Sequence, residues 1–249
     1  MPFTISHAAA VLPLQKTRLP LAALMIGSMS PDFAYFLPGD PLREHTHSIA
    51  GIFWFSWPVS MACWFVFVRL LERPTLALLA DRWRGKFAPS DRTVSVRTLS
   101  LASAAVILGA ATHILWDSFT HRGTAIVDAI PGLHAVAFHY HGWRVRWFVV
   151  LQHLSSVVGM LILMIWAYRL PVVHQWSGIP SISHATRLRA VAILITVSST
   201  LAIASYLIHH DTWFVRRLFH FAIGGMAGWV VAWLAISITL IAREPTRIS

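Results

Sequence analysis

Trp147-Phe-Val-Val-Leu-Gln-His-Leu-Ser-Ser-Val-Val-Gly-Met-Leu-Ile-Leu-Met-Ile-Trp-Ala-Tyr168 runs without a single Asp, Glu, Lys or Arg. A hydrocarbon layer takes about 20 predominantly apolar helical residues to cross. This stretch meets that length, and four others do as well: Ile49–Leu71, Thr98–Phe119, Arg189–Ile208 and Leu218–Ala242. Composition points the same way. Of 249 residues, 56% are hydrophobic and only 12% charged, about half the usual charged share of a soluble domain. The 12 tryptophans suit the aromatic belts at membrane interfaces. The sequence therefore predicts an all-α polytopic transmembrane bundle.

The earlier run Leu19–Leu37 contains Pro31 and Asp32. It reads either as a sixth span or as the second arm of a helical hairpin with Thr4–Leu14. The expected organisation is one integral membrane domain over 1–249. Residues 1–48 supply the hairpin and a loop with candidate ligands, and residues 49–249 supply the five clear spans. The opening segment does not read as a signal peptide, because Lys16 and Arg18 follow its apolar stretch rather than precede it. Pro58 is expected to kink the first clear span. Gly224, Gly225 and Gly228 predict close helix packing in the last.

The formal net charge of +10 could in principle serve nucleic acid. The basic residues instead lie in short loops between apolar runs, where they set orientation, so no nucleic-acid partner is expected. The connection Glu72–Arg97 carries Arg73, Arg82, Arg84, Lys86, Arg92 and Arg97 and is placed in the cytoplasm. Alternation puts His121–Arg146 and His209–Arg217 outside. It puts the loop Pro171–Arg187 and the tail with Arg243 and Arg247 inside. The bacterial inner membrane is the expected location. The lone Cys63 sits in an apolar run and makes no internal disulfide.

Ionisable residues within apolar segments are costly and point to function. Only two acids fall there, Asp32 and Asp117, and both come with histidines. His113-Ile-Leu-Trp-Asp117-Ser-Phe-Thr-His121 repeats at four-residue spacing, which lines one helix face. Imidazole and carboxylate so placed can hold one divalent cation, or form a buried hydrogen-bonded network. Pro31 can bend its helix and aim Asp32, or Asp32 can simply cap a turn. In Glu44-His45-Thr46-His47-Ser48 the histidines alternate in direction, and His47 is the one expected to face a site. His7 joins only if the N-terminus folds back as a hairpin. Gln152 and His153 are candidate hydrogen-bond partners for ligands. His134, His139, His141 and the His209-His210-Asp211 group read as solvated, and His220 as interfacial.

MPFTISHAAAVLPL, GSMSPDFAYF, HTHSIAG, THILWDSFTH and LQHLSS, in that order, resemble a bacterial membrane family built on the domain of unknown function DUF4184. The order His, Pro-Asp, His-Ser, His-x-x-x-Asp and Thr-His is also distantly similar to membrane-bound metal-dependent hydrolases of the YbcI type and to zinc-dependent phospholipase C. That similarity implies ligand roles for His7, Asp32, His47, His113, Asp117 and His121. The chain lacks the His-x-x-x-Glu pair of the phospholipases, so one or two metals are implied rather than three.

The expected function is a membrane-embedded metal-dependent hydrolase acting on a phosphoester, a lipid or another amphiphile. Asp32, His47, His113 and Asp117 are the expected ligands of a divalent ion, with zinc favoured. His7 and His121 complete the site or move protons. The alternative is a transporter or scaffold in which the same residues form an ion relay or structural network.

Overall fold

The computed structural model describes residues 4–37, 43–87, 89, 90, 92–172, 179, 182–210 and 214–242. Asp211, the tail arginines Arg243 and Arg247, most of the Pro171–Ile182 part of the inner loop and the Glu44 side chain lie outside the described set. Among the described residues, five helices are long and apolar enough to cross a membrane. These residues are all-α apart from one two-stranded sheet.

We label the helices α1 (Leu21–Met29), α2 (Ile49–Leu78), α3 (Val96–Thr120), α4 (Trp147–Arg169), α5 (His184–Ile208) and α6 (Phe214–Ala242). Serines mark three of the starts. The Ser48, Ser95 and Ser183 hydroxyls accept the backbone N–H of Gly51, Thr98 and Thr186 at 2.9–3.1 Å, satisfying donors the first turn leaves over. Two wide π turns interrupt α2, at Ile52–Ser56 and Phe67–Leu71. Pro58 and Pro74 each clash with the carbonyl four residues earlier, and both carbonyls fall inside these turns. Widening the helix there lets the chain continue through both prolines. As a result α2 runs past Leu71, and Glu72, read as a loop acid, is buried in the helix. Ser90 closes over it, donating its N–H and hydroxyl to the two carboxylate oxygens at 2.9 and 2.6 Å.

The chain forms two compact units. In residues 1–65 and 93–170, the N-terminus is a helical hairpin rather than a lone span. A 3-10 helix over Thr4–Lys16 turns back into α1, which continues as a 3-10 segment over Ser30–Phe36. Thr4 donates to Asp32, so the two arms are antiparallel. The turn with Lys16 and Arg18 lies at the opposite end. The hairpin packs on α3 and α4. Gly27 and Gly109 let α1 and α3 touch backbone to backbone, and Gly159 makes room for Ser6. Between α3 and α4 lie two short helices and a β-hairpin, β1 (Val136–Tyr140) and β2 (Trp143–Arg146).

In residues 66–92 and 171–249, α5 and α6 pack along small residues, as expected. A Cβ at Gly224 or Gly228 would meet the α5 backbone at 2.5–2.8 Å. Ala190, Leu194, Ala232, Ile236 and Leu240 form a buried apolar cluster there. Trp233 donates to the Thr75 hydroxyl at 2.7 Å.

Candidate metal centre

All six candidate residues fall in the first unit, and they come together. The 3-10 arm brings His7, the segment after α1 brings Asp32, the turn before α2 brings His47, and α3 brings His113 and Asp117. His121 closes α3 as its C-cap, its N–H bonded to the Asp117 carbonyl. Local sequence explains each placement. α1 stops at Met29, and Pro31, with its fixed φ and no N–H, starts the 3-10 turn that carries Asp32. The Ser48 cap fixes His47 two residues before α2, while His45 points to the exterior. The four-residue repeat on α3 stacks the other three.

The geometry is that of a donor cluster rather than of hydrogen bonds. His47 Nε2 lies 3.3 Å from Asp32 Oδ1 and 3.4 Å from Asp117 Oδ2. His113 Nε2 lies 3.7 Å from Asp32 Oδ1 and 3.6 Å from Asp117 Oδ2. Direct N–H···O bonds prefer 2.7–3.2 Å. A tetrahedral ion with bonds of about 2.0–2.2 Å would separate its ligands by about 3.3–3.6 Å. Two overlapping triads, His7–Asp32–His113 and His47–His113–Asp117, each keep their donor atoms within 4.8 Å of one another.

Outer contacts orient these groups. The Nδ1 of His113 sits 2.7 Å from the Ser28 carbonyl, and a carbonyl only accepts. The Nδ1 therefore carries a proton, and Nε2 faces the two carboxylates. That nitrogen is fully buried and makes no hydrogen bond. A cation between that nitrogen and the two carboxylates would satisfy all three groups. The Thr4 hydroxyl donates to Asp32 Oδ2 at 2.6 Å, leaving Oδ1 for the cluster. The Thr46 hydroxyl meets His47 Nδ1 at 3.1 Å. Such partners are what metal-binding histidines and carboxylates use.

His7 stacks on His113 with ring centroids 3.8 Å apart, its Nε2 3.6 Å from Asp117 Oδ1. Burial above all, with the neighbouring His113, pushes its pKa down to about 3. Burial alone would raise Asp32, but the neighbouring His47 and His113 imidazoles and the Thr4 hydroxyl outweigh it and hold the carboxyl below its usual range. His121 faces Asp117 Oδ2 through Nδ1 at 3.4 Å and the Gln152 amide through Nε2 at 3.4 Å. It is the most open of the six side chains. His153 is exposed and apart from the cluster.

Thr4 and the Ser28 carbonyl were not legible in the sequence, since a hydroxyl and a backbone oxygen carry no pattern of their own. Two groups read as solvated are engaged. His134 donates through Nε2 to Asp128 at 3.0 Å and accepts from Arg146 at 2.9 Å. His209 stacks on His220 at 3.5 Å between centroids.

No curated protein and no solved structure matches the chain. Residues 1–242 match the family described as Domain of unknown function (DUF4184), and the chain belongs to that family.

Proposed function

We propose that the protein is a membrane-embedded metal-dependent hydrolase whose divalent ion, zinc by donor chemistry, is held by Asp32, His47, His113 and Asp117. The observation that carries this reading is the His113 Nε2, fully buried, without a hydrogen bond and aimed between two carboxylates at 3.6 and 3.7 Å. Those distances exceed a hydrogen bond and match the edges of a four-coordinate site. Two imidazoles and two carboxylates suit zinc among the divalent ions. His7, stacked on His113, completes the donor set or a second ion.

A divalent ion there would polarise an ester or phosphoryl oxygen and lower the pKa of water. The remaining work falls to the chain. Thr4 and the Ser28 carbonyl keep Asp32 and His113 in register. Gln152 steadies His121, which, as the most open member, takes up and releases the proton. Asp117 stands about 5 Å from the end of α3, and Gln152 about 8 Å from the start of α4. That depth is where acyl chains meet headgroups, so the substrate class is a lipid or another amphiphile with an ester or phosphoester at that level. Lys16 and Arg18, at the opposite end of the hairpin from Asp32, support a site on the outer face of a bacterial inner membrane with the C-terminus in the cytoplasm.

The test is metal analysis of the purified protein beside His113→Ala, Asp117→Ala and the exposed-site control His45→Ala. About one or two equivalents of metal in wild type and control, and loss in the other two, is expected. Equal, near-zero metal in all four sinks the metal centre. Bound metal with no chelator-sensitive turnover of lipid or phosphodiester substrates sinks the hydrolase and leaves the site a structural one.

A further inference from the structure

The β-hairpin before α4 has two unlike faces. Its register pairs Tyr140 with Trp143, His139 with Arg144, and Phe138 with Val145. Cross-strand partners share a face, and successive residues alternate. One face is therefore Phe138, Tyr140, Trp143 and Val145, and the other His139 and Arg144. The turn fixes this register. His141 and Gly142 sit at φ 45° and 81°, the positive values that two-residue hairpin turns require.

Within the first unit, the described residues leave the aromatic face open. Phe138 is 51% exposed, Tyr140 62% and Trp143 77%. A patch of this kind marks an interaction surface. Its position says which. Arg146, the last strand residue, is the N-cap of α4, and the Trp147 N–H bonds back to the Ala135 carbonyl at 3.1 Å. The chain Arg146–His134–Asp128 braces the base. The hairpin is thus clamped to the start of a spanning helix, on which Trp147 and Leu154 are exposed apolar side chains as well. Tyr and Trp favour the membrane interface, and basic side chains favour lipid phosphates.

We propose that the hairpin Val136–Arg146 is an interfacial anchor. Its aromatic face rests in the glycerol and upper acyl zone of the protein's own bilayer, and His139 and Arg144 face the phosphates. The claim stands on the two faces of the hairpin and not on the metal reading, so its failure leaves that reading untouched.

The test places single spin labels, in a Cys63→Ala background, at Phe138→Cys, Tyr140→Cys, Trp143→Cys, His139→Cys and Arg144→Cys. The protein is reconstituted at low density in vesicles of phosphatidylcholine and phosphatidylglycerol. Collision rates are read with oxygen, which concentrates in acyl chains, and with a water-soluble nickel chelate. Oxygen is expected to dominate at 138, 140 and 143, and nickel at 139 and 144, a several-fold swing that alternates along the strand. Equal nickel access at all five positions would put the hairpin in water and overturn the proposal. Shielding of 138, 140 and 143 from both agents overturns it too, because protein would then cover the face.

Discussion

Gly109→Ala tests whether backbone contact between α1 and α3 sets the metal centre. A Cβ at Gly109 would lie 2.3 Å from the Leu24 carbonyl oxygen and 2.7 Å from the Ser28 nitrogen, where ordinary contact begins at 3.4 Å. Both neighbours are backbone, so α1 must retreat by about 1 Å as a body. Ser28 moves with it. Its carbonyl now sits 2.7 Å from His113 Nδ1, and a retreat of about 1 Å takes it beyond hydrogen-bond reach. The overpacking costs about 1–3 kcal/mol. The unpartnered buried imidazole costs about 1–3 kcal/mol more. Losing an orienting partner lowers metal affinity by about 10–100-fold. The assays are thermal unfolding in detergent and metal titration of the stripped protein. Gly225→Ala is the control. Its Cβ would meet the Ala202 Cβ at 3.4 Å and the Ser198 carbonyl oxygen at 3.9 Å, both ordinary contacts, and alanine favours a helix interior, so it should be neutral or stabilising. A Gly109→Ala protein with wild-type metal affinity would refute the reasoning, as would a Gly225→Ala protein equally damaged.

Metal binds imidazole only in its unprotonated form, so affinity should fall as the medium is acidified. Equilibrium dialysis at stepped pH reads this, and a flat affinity down to about pH 5 would mean the ring nitrogens are not ligands. Ser90→Ala removes the hydroxyl that donates to the buried Glu72 carboxylate at 2.6 Å. Its expected cost is about 1–3 kcal/mol of stability, with metal content unchanged because Glu72 is no part of the cluster. Unaltered unfolding would show that the backbone N–H of Ser90 satisfies Glu72 alone.

The sequence alone determined the five spans, to within a few residues at most ends. A run too apolar for water and long enough for the bilayer has one outcome, because every backbone group must bond within its own helix. It also determined the stripe on α3, since four-residue spacing puts His113, Asp117 and His121 on one face wherever that helix goes. The exception was the end of α2. Apolar length stopped at Leu71, but the π turns let the helix pass Pro74 and bury Glu72.

Only the tertiary structure decided which distant residues meet that stripe. Periodicity describes one segment at a time and carries nothing about its neighbours. His7 stood as an open choice because Thr4–Leu14 is compatible with either a crossing chain or a returning one. The return is fixed by contacts far apart in the chain: Thr4 on Asp32, Gly27 against Val106, and the Ser28 carbonyl on His113. The aromatic face of the β-hairpin was hidden for the same reason. Two strands of five and four residues show no pattern until the turn at His141 and Gly142 pairs them. The spans follow from what each segment can bury in lipid, and the donor cluster follows from which backbones lie close enough to exclude a single Cβ.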